Sequence, residues 1–372
     1  MKVVLLIFSS ILFTNSQVYS QESSRDLTID EMAGQMLMVG FRGYEAEPDN
    51  HIIRDIEKYN IGGVILFDYD VPNQEPVRNI ESYEQVKKLT HQLQQLSDLP
   101  LFIAIDQEGG RVARLKEVHG FPKFVSAAYL GELNNPDSTV YYEEKKSRLL
   151  NELGFNVNFA PVVDLNINPE NPIIGRIDRS YGAETERVVK HAGITIEKHL
   201  GNNVLPVLKH FPGHGSAWND SHIGMADVTE TWQKKELEPY RILLSDYPAA
   251  GVMTAHVYNE HLDKNVPATL SKKVQSGILR NSMGFEGVLF SDDMQMEAIR
   301  SYYGLEKAIK KSINAGVDLL IFANNSVYEP DVIPDAVSII TKLVKNGDIS
   351  EERIRESYKR IITAKESLGL IH

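Results

Sequence analysis

Eight short apolar segments recur along the chain, and they constrain the fold more than any other feature. Because each is apolar throughout rather than alternating, they are typical of parallel strands buried on both faces. Stretches with helical periodicity lie between most of them. Eight strand–helix units without a composition break predict an α/β fold, a single (β/α)8 TIM-type barrel. The segments are residues 36–40, 61–67, 101–105, 157–163, 204–208, 251–255, 288–291 and 317–322.

Helix start signals support this alternation. Thr28 and Glu31 form a capping-box pattern, and Ser82 precedes apolar residues spaced by three and four. Residues 184–200 and 351–368 have the periodicity of amphipathic helices. A doubly wound open sheet is the alternative, but no GxGxxG follows an early strand and no GxxxxGK[ST] is present. Nucleotide-binding versions of that fold therefore have no support.

The first residues predict a leader for export. Lys2 precedes an apolar stretch at 3–13 that is too short to span a bilayer, and residues 18–20 resemble a cleavage site. A buried N-terminal strand is the alternative. We expect a signal peptide at 1–20, a barrel domain at 21–372, and an exported protein that is periplasmic or secreted.

Composition excludes several classes of protein. The 51 acidic residues outnumber the 39 basic ones, which gives a net charge of −12 and no basic field to neutralise phosphates. We therefore expect no nucleic-acid partner, and no membrane insertion once the leader is removed. The chain has no cysteine, which excludes thiol catalysis, disulfides and iron–sulfur clusters.

Charged residues follow the predicted strands, where the functional rim of a barrel lies. Asp106 and Arg114 follow the third segment and suit the hydroxyl groups of a sugar, although a structural ion pair is the alternative. Arg179 lies in a long loop after the fourth segment. It is a candidate ligand donor, but a lone arginine in a loop is usually solvated.

The loop after the fifth segment concentrates titratable groups. It reads KHFPGHG over residues 209–215 and DSH over 220–222. Asp220 is spaced to orient the imidazole of His222, and such a pair forms a proton shuttle near neutral pH. A merely polar loop is the alternative.

The seventh segment ends in two adjacent aspartates. Because successive strand residues point to opposite faces, only one of Asp292 and Asp293 is expected to face the barrel mouth. Asp292 directly continues the apolar strand and is the better nucleophile candidate, which leaves a capping or ion-pair role to Asp293. His256 ends the sixth segment, where a lone histidine is more often structural.

Together these motifs resemble family 3 glycoside hydrolases, in the β-N-acetylglucosaminidase branch related to NagZ. The similarity covers nearly all of the chain after the leader, and separated motifs in the right order are more specific than any one of them. The matching segments are MVGF at 38–41, IGGVILF at 61–67, DQEGGRV at 106–112, FAP at 159–161 with Asp164, KHFPGHG at 209–215 with DSH at 220–222, and FSDD at 290–293.

The resemblance implies a retaining β-N-acetylhexosaminidase that removes non-reducing terminal GlcNAc from peptidoglycan fragments or from chitin- and glycan-derived oligosaccharides. It implies that Asp292 is the nucleophile and that His222, oriented by Asp220, is the general acid/base. No metal or other cofactor is implied, and we expect a monomer. The residues implied to bind the sugar are Asp106, Arg114, Arg179, Lys209 and His210, with His214 organising the loop beside them.

The sequence is also compatible with other chemistries. A neutral histidine repels an anion less than a carboxylate does, so phosphate could replace water and make the enzyme a GlcNAc phosphorylase. Catalysis by the substrate's own acetamide would need a carboxylic acid beside an orienting carboxylate. An exported sugar-binding protein without catalysis is a further alternative. So is a metal-dependent barrel hydrolase with zinc ligands drawn from His210, His214, His222, His256 and Asp292.

Overall fold

The structure, a computed structural model, describes residues 27–221 and 223–371. The predicted leader and His222 lie outside the described residues. The strands within them, numbered in chain order, are β1 (Leu37–Gly40), β2 (Gly63–Ile65), β3 (Phe102–Ile105), β4 (Val157–Asn158), β5 (Leu205–Phe211), β6 (Ala226–Asp227), β7 (Gly251–Thr254), β8 (Val257–Tyr258), β9 (Leu289–Asp293) and β10 (Leu319–Phe322).

Eight of these strands form a closed parallel barrel, which confirms the predicted (β/α)8 fold. The order around the barrel is β1, β2, β3, β4, β5, β7, β9, β10. The pairing of β10 with β1, where Leu320 lies opposite Leu37, closes the ring. Aromatic side chains fill the interior, and the Phe290 ring lies 6.3 Å from the Phe102 ring and 5.7 Å from the Phe159 ring.

Helices connect the strands, and two predicted start signals are confirmed. Thr28 and Glu31 form a reciprocal capping box, and the Ser82 side chain accepts from the backbone N–H of Gln85. The helices are α1 (Ile29–Gln35), α2 (His51–Tyr59), α3 (Tyr83–Gln95), α4 (Ala127–Leu133), α5 (Pro136–Glu152), α6 (Thr185–Gly201), α7 (Glu238–Asp246), α8 (Glu297–Tyr303), α9 (Leu305–Ala315), α10 (Val332–Lys345) and α11 (Glu351–Ser367), with a wider helical segment at Lys273–Ser282 and short 3-10 turns at Glu117–His119, Gly175–Ile177, Lys234–Leu237 and Ala268–Leu270.

The last helix closes the amino end of the barrel. From α11, the fully buried Lys365 reaches the side chain of Gln35, just before β1, with 2.8 Å between Nζ and Oε1. Its ammonium group lies 5.0 Å from the centre of the Phe102 ring. Burial lowers the pKa of Lys365 to about 7. Over the described part of the chain, no helix is both long and apolar enough to span a bilayer.

Three local features differ from the sequence-based expectation. β4 ends at Asn158, well before the end of its apolar segment, and Pro161 beyond it has no N–H to donate to a ladder. The two-residue strands β6 and β8 pair outside the barrel. The register between β9 and β10 shifts, because two residues lie between Phe290 and Asp293 whereas one lies between their partners, Leu319 and Ile321. This bulge lies at the functional end of β9.

Candidate active site

A pocket of about 290 Å³ opens at the carboxyl ends of the barrel strands. Apolar side chains such as Phe67, Phe159 and Met253 form part of its wall. Of the nine residues predicted for the site, the pocket brings together seven. These are Asp106, Arg114, Arg179, Lys209, His210, His214 and Asp292.

Asp106 follows β3 and holds two cations. Its carboxylate oxygens accept from Lys209 Nζ at 2.8 Å and from Arg114 Nη2 at 3.1 Å. Burial would raise the pKa of the Asp106 carboxyl, but the charges of Lys209 and Arg114 outweigh it and hold the pKa well below its usual range. Asp106 is therefore an ionised acceptor at neutral pH.

Glu108, which was not predicted from the sequence, links Arg179 to Lys209 and so to the cluster around Asp106. Its carboxylate accepts two bonds from Arg179, at 2.8 and 2.7 Å, and lies 2.6 Å from Lys209 Nζ. Burial would raise the pKa of the Glu108 carboxyl, but Arg179 and Lys209 lower it to about 2. Gly109 allows the turn that brings Glu108 here, since it has a φ of 113° and a Cβ would lie 2.2 Å from the Val125 carbonyl oxygen.

Arg179 is buried rather than solvated. Besides Glu108, its guanidinium donates to the carbonyl of Ile173 at 2.7 Å and to His210 Nε2 at 3.2 Å. A guanidinium can only donate, so Nε2 of His210 accepts and its Nδ1 carries the proton. Arg179 thus fixes the histidine ring and uses most of its own donors within the protein.

Asp164, which follows β4, organises the loop after β5. It accepts from Nδ1 of His210 at 2.7 Å and from the backbone N–H groups of His210 and His214 at 3.2 and 2.8 Å. Burial would raise the pKa of the Asp164 carboxyl, but His210 and these hydrogen bonds lower it. In the sequence, Asp164 stands out only as part of a motif that matches the family.

His214 is a buried residue of the same loop. Its Nε2 is 3.1 Å from the hydroxyl oxygen of Ser221, and burial lowers its pKa to about 4. It is therefore neutral over the physiological range.

The rest of the loop rests on the long connection after β4. Asn171 donates to the carbonyl of His214 at 2.7 Å, and Asn168 donates to the carbonyl of Ala217 at 2.8 Å. Asp220 is half-buried at the end of this loop. Because His222 lies outside the described residues, the geometry of the Asp220–His222 dyad stays a prediction.

Both aspartates of β9 are among the residues that line the pocket, at a point where the register between β9 and β10 shifts. Their partners differ: Asp293 Oδ1 accepts from the backbone N–H groups of Gln295 and Ala323, at 3.0 and 3.1 Å. Asp293 thereby ties the end of β9 to the end of β10.

His256 is fully buried and is not part of the pocket wall. Its Nδ1 is 2.8 Å from the Thr269 hydroxyl oxygen, and its Nε2 is 2.9 Å from the Asp293 carbonyl oxygen. Among residues 27–221 and 223–371, no three His, Asp or Glu side chains are grouped as metal ligands.

Comparison with known families decides the classification. The model of the glycosyl hydrolase family 3 N-terminal domain matches residues 28–364. The chain belongs to glycosyl hydrolase family 3.

Its relatives in family 3 include curated enzymes. The chain is 31% identical to beta-hexosaminidase A of Pseudoalteromonas piscicida over 92% of its own length, and 35% identical to a beta-hexosaminidase of Nitrosomonas eutropha over 71%. Among solved structures, it is similar to a family 3 beta-N-acetylglucosaminidase from Paenibacillus sp. FPU-7, with a TM-score of 0.84, 33% identity and 93% of this chain covered.

Some of these family 3 relatives are longer than the matching region. The chain spans 62% of the Pseudoalteromonas enzyme and 63% of the Paenibacillus structure, but 74% of the Nitrosomonas enzyme. The match to the family model, residues 28–364, includes all eight barrel strands and the residues that line the pocket.

Proposed function

We propose that this chain is a retaining β-N-acetylhexosaminidase that removes terminal β-linked GlcNAc from oligosaccharides. One observation carries the proposal: Asp292 lines the pocket at the carboxyl end of β9, across the barrel from β3, which leads into Asp106. The relatives named beta-hexosaminidase support the choice of sugar.

The charges of the pocket favour a neutral sugar. Three cations, Lys209, Arg114 and Arg179, are accompanied by the carboxylates of Asp106, Glu108, Asp164 and Asp292. A phosphate ion would enter against this excess of negative charge. Water is therefore the better acceptor, and hydrolysis is favoured over phosphorolysis. A sugar hydroxyl can instead share the donors of Lys209 and Arg114 and the free lone pairs of Asp106.

The pocket also restricts which group can act as the acid. Asp106 is held ionised by its two cations, and Asp293 Oδ1 accepts two backbone hydrogen bonds. Neither suits a proton donor to the leaving oxygen. We assign that role to His222 with Asp220, as the family resemblance implies, because the loop that carries them adjoins the pocket at His214 and Ser221.

The reaction is a double displacement. The Asp292 carboxylate attacks the anomeric carbon as the bond to the leaving oxygen breaks, and His222 gives that oxygen its proton. The neutral His222 then takes a proton from water, whose oxygen attacks the same carbon and releases Asp292. GlcNAc leaves with its original anomeric configuration, and both groups return to their starting states.

The size of the pocket supports cleavage at a chain end. Its volume of about 290 Å³ is at the lower end of ligand pockets, which suits one terminal sugar. We propose terminal GlcNAc of peptidoglycan fragments or of chitin- and glycan-derived oligosaccharides as the natural target. The predicted leader supports an exported enzyme that meets them outside the cytoplasm.

The proposal is tested with 4-nitrophenyl β-N-acetylglucosaminide and the matching glucoside, with and without EDTA. We expect selective, EDTA-resistant release that falls at least about a thousandfold in Asp292→Ala. Asp178→Asn, which removes the charge of an exposed aspartate of the rim and keeps a residue that tolerates its left-handed backbone, is the control and should keep wild-type rates.

Three results would contradict this proposal. Release of nitrophenol by Asp292→Ala at the wild-type rate would show that Asp292 is not the nucleophile. EDTA-sensitive release would point to a metal-dependent hydrolase, and GlcNAc 1-phosphate formed in phosphate buffer would point to a phosphorylase.

A further inference from the structure

The backbone around Asp292 is not held by regular strand pairing. The ladder between β7 and β9 pairs Val252 with Leu289 and Met253 with Phe290, and ends there. On the other side of β9, the bulge shifts the register to β10 before Asp293. The residue proposed as nucleophile therefore lies where the barrel's own hydrogen bonds are irregular.

Three buried side chains supply the missing contacts. Thr254 ends β7, His256 follows two residues later, and Thr269 lies in the 3-10 turn Ala268–Leu270; all three are fully buried. The backbone N–H of Asp292 donates to Thr254 Oγ1 at 3.4 Å. Thr254 Oγ1 is 2.7 Å from Thr269 Oγ1, which is 2.8 Å from His256 Nδ1.

The direction of the protons follows from the last contact. His256 Nε2 is 2.9 Å from the carbonyl oxygen of Asp293, and a carbonyl can only accept, so Nε2 carries the proton. The Thr269 hydroxyl has one proton, which two acceptors share: the Ala255 carbonyl at 2.9 Å and, in the neutral ring, Nδ1 of His256. Its lone pairs can accept from the hydroxyl of Thr254.

The chain of hydrogen bonds thus begins at the N–H of Asp292 and ends at the carbonyl of the next residue. It holds the peptide group that precedes Asp292 and the peptide group that follows Asp293, so Asp292 and Asp293 both lie between its two ends. We propose that His256, with Thr254 and Thr269, is a positioning residue that fixes the direction of the Asp292 carboxylate toward the anomeric carbon. This inference rests on the proposed function, in which Asp292 is the nucleophile.

Displacement of a reacting group by about 1 Å costs on the order of a hundredfold in rate. For His256→Phe, which keeps a ring but removes both polar contacts, we expect kcat to fall about a hundredfold on 4-nitrophenyl β-N-acetylglucosaminide. KM and the inhibition constant of free GlcNAc should change less than about threefold, because His256 is not on the pocket wall. His256→Gln, whose amide can still donate to Asp293, should recover about tenfold of the loss.

His191 provides the matched control. It is equally buried, its ring nitrogens contact Thr139 at 2.7 Å and Asn134 at 3.3 Å, and it is not among the residues that line the pocket. His191→Phe should lower the melting temperature as His256→Phe does, while leaving kcat unchanged. A His256→Phe enzyme with kcat no lower than that of His191→Phe would overturn the inference.

A second pair keeps the test decisive if His256→Phe does not fold. Thr269→Val preserves the shape of the side chain without the hydroxyl, and Thr269→Ser preserves the hydroxyl. We expect Thr269→Val to lose about tenfold in kcat, and Thr269→Ser to stay near wild type. Equal kcat for the two variants would overturn the inference. An inactive wild-type chain would instead overturn the proposed function and this inference with it.

Discussion

Replacement of Glu108 by glutamine should destabilise the protein through the loss of one buried charge. The pKa of this carboxyl is lowered to about 2, from an ordinary value of 4.5. Each pKa unit corresponds to about 1.4 kcal/mol, so the ionised carboxylate contributes about 3 kcal/mol at pH 7. Independently of any pKa, removal of one partner from a buried ion pair typically lowers protein stability by about 3–5 kcal/mol. The two magnitudes agree.

The sign of the pH dependence follows from the direction of the shift. A carboxyl with a lowered folded pKa stabilises the native state above its unfolded pKa, and this contribution is lost as the pH falls toward the folded value. The difference between wild type and Glu108→Gln should therefore shrink from about 3 kcal/mol at pH 7 to about 2 kcal/mol at pH 3.5.

Urea unfolding at these two pH values measures the difference. Glu170→Gln is the matched control, because Glu170 also forms two bonds with one arginine, Arg176, but both side chains are about 61% exposed. We expect that control to cost less than about 1 kcal/mol. Equal losses in the two variants, or a Glu108→Gln loss that grows on acidification, would refute the reasoning.

Two further changes have definite expected outcomes. Asp164→Asn replaces an acceptor of three hydrogen bonds, so kcat/KM should fall about 10- to 100-fold; unchanged kinetics would show that Asp164 does not hold the loop in its active form. Lys365 releases its proton near pH 7 in the folded state but near 10.5 when unfolded, so stability should rise by about 2 kcal/mol from pH 7 to pH 9. Urea unfolding of Lys365→Met should show no such rise, whereas the exposed-site control Lys359→Met should keep it.

The barrel could be predicted from sequence because its strands carry a strong local signal. Segments buried on both faces are apolar throughout, and the eight of them each contain or overlap one barrel strand. The strands β6 and β8 could not be predicted this way, because each has only two residues, too few to show a pattern of hydrophobicity. Nor could the bulge at Asp292 and Asp293, which depends on the register against Leu319 and Ile321 in another strand.

The site was predictable where residues directly follow a strand. Asp106, Lys209 and Asp292 all lie at carboxyl ends of strands, and barrel geometry alone brings such positions together. Glu108 gave no such signal, because its partner Arg179 lies 71 residues away and the burial of both exists only in the folded chain. The two glycines after Glu108 were the one local indication of a tight turn that could return its side chain to the pocket.

Identification of the residue that bonds to the sugar tests the proposed reaction most directly. A 5-fluoro derivative of N-acetylglucosaminyl fluoride slows release of the covalent intermediate, so that the labelled enzyme can be digested and mapped by mass spectrometry. We expect one sugar per chain, attached to Asp292, and no label on Asp292→Ala. A label on Asp106 or Asp293, or turnover of the reagent without any covalent enzyme, would contradict a double displacement through Asp292.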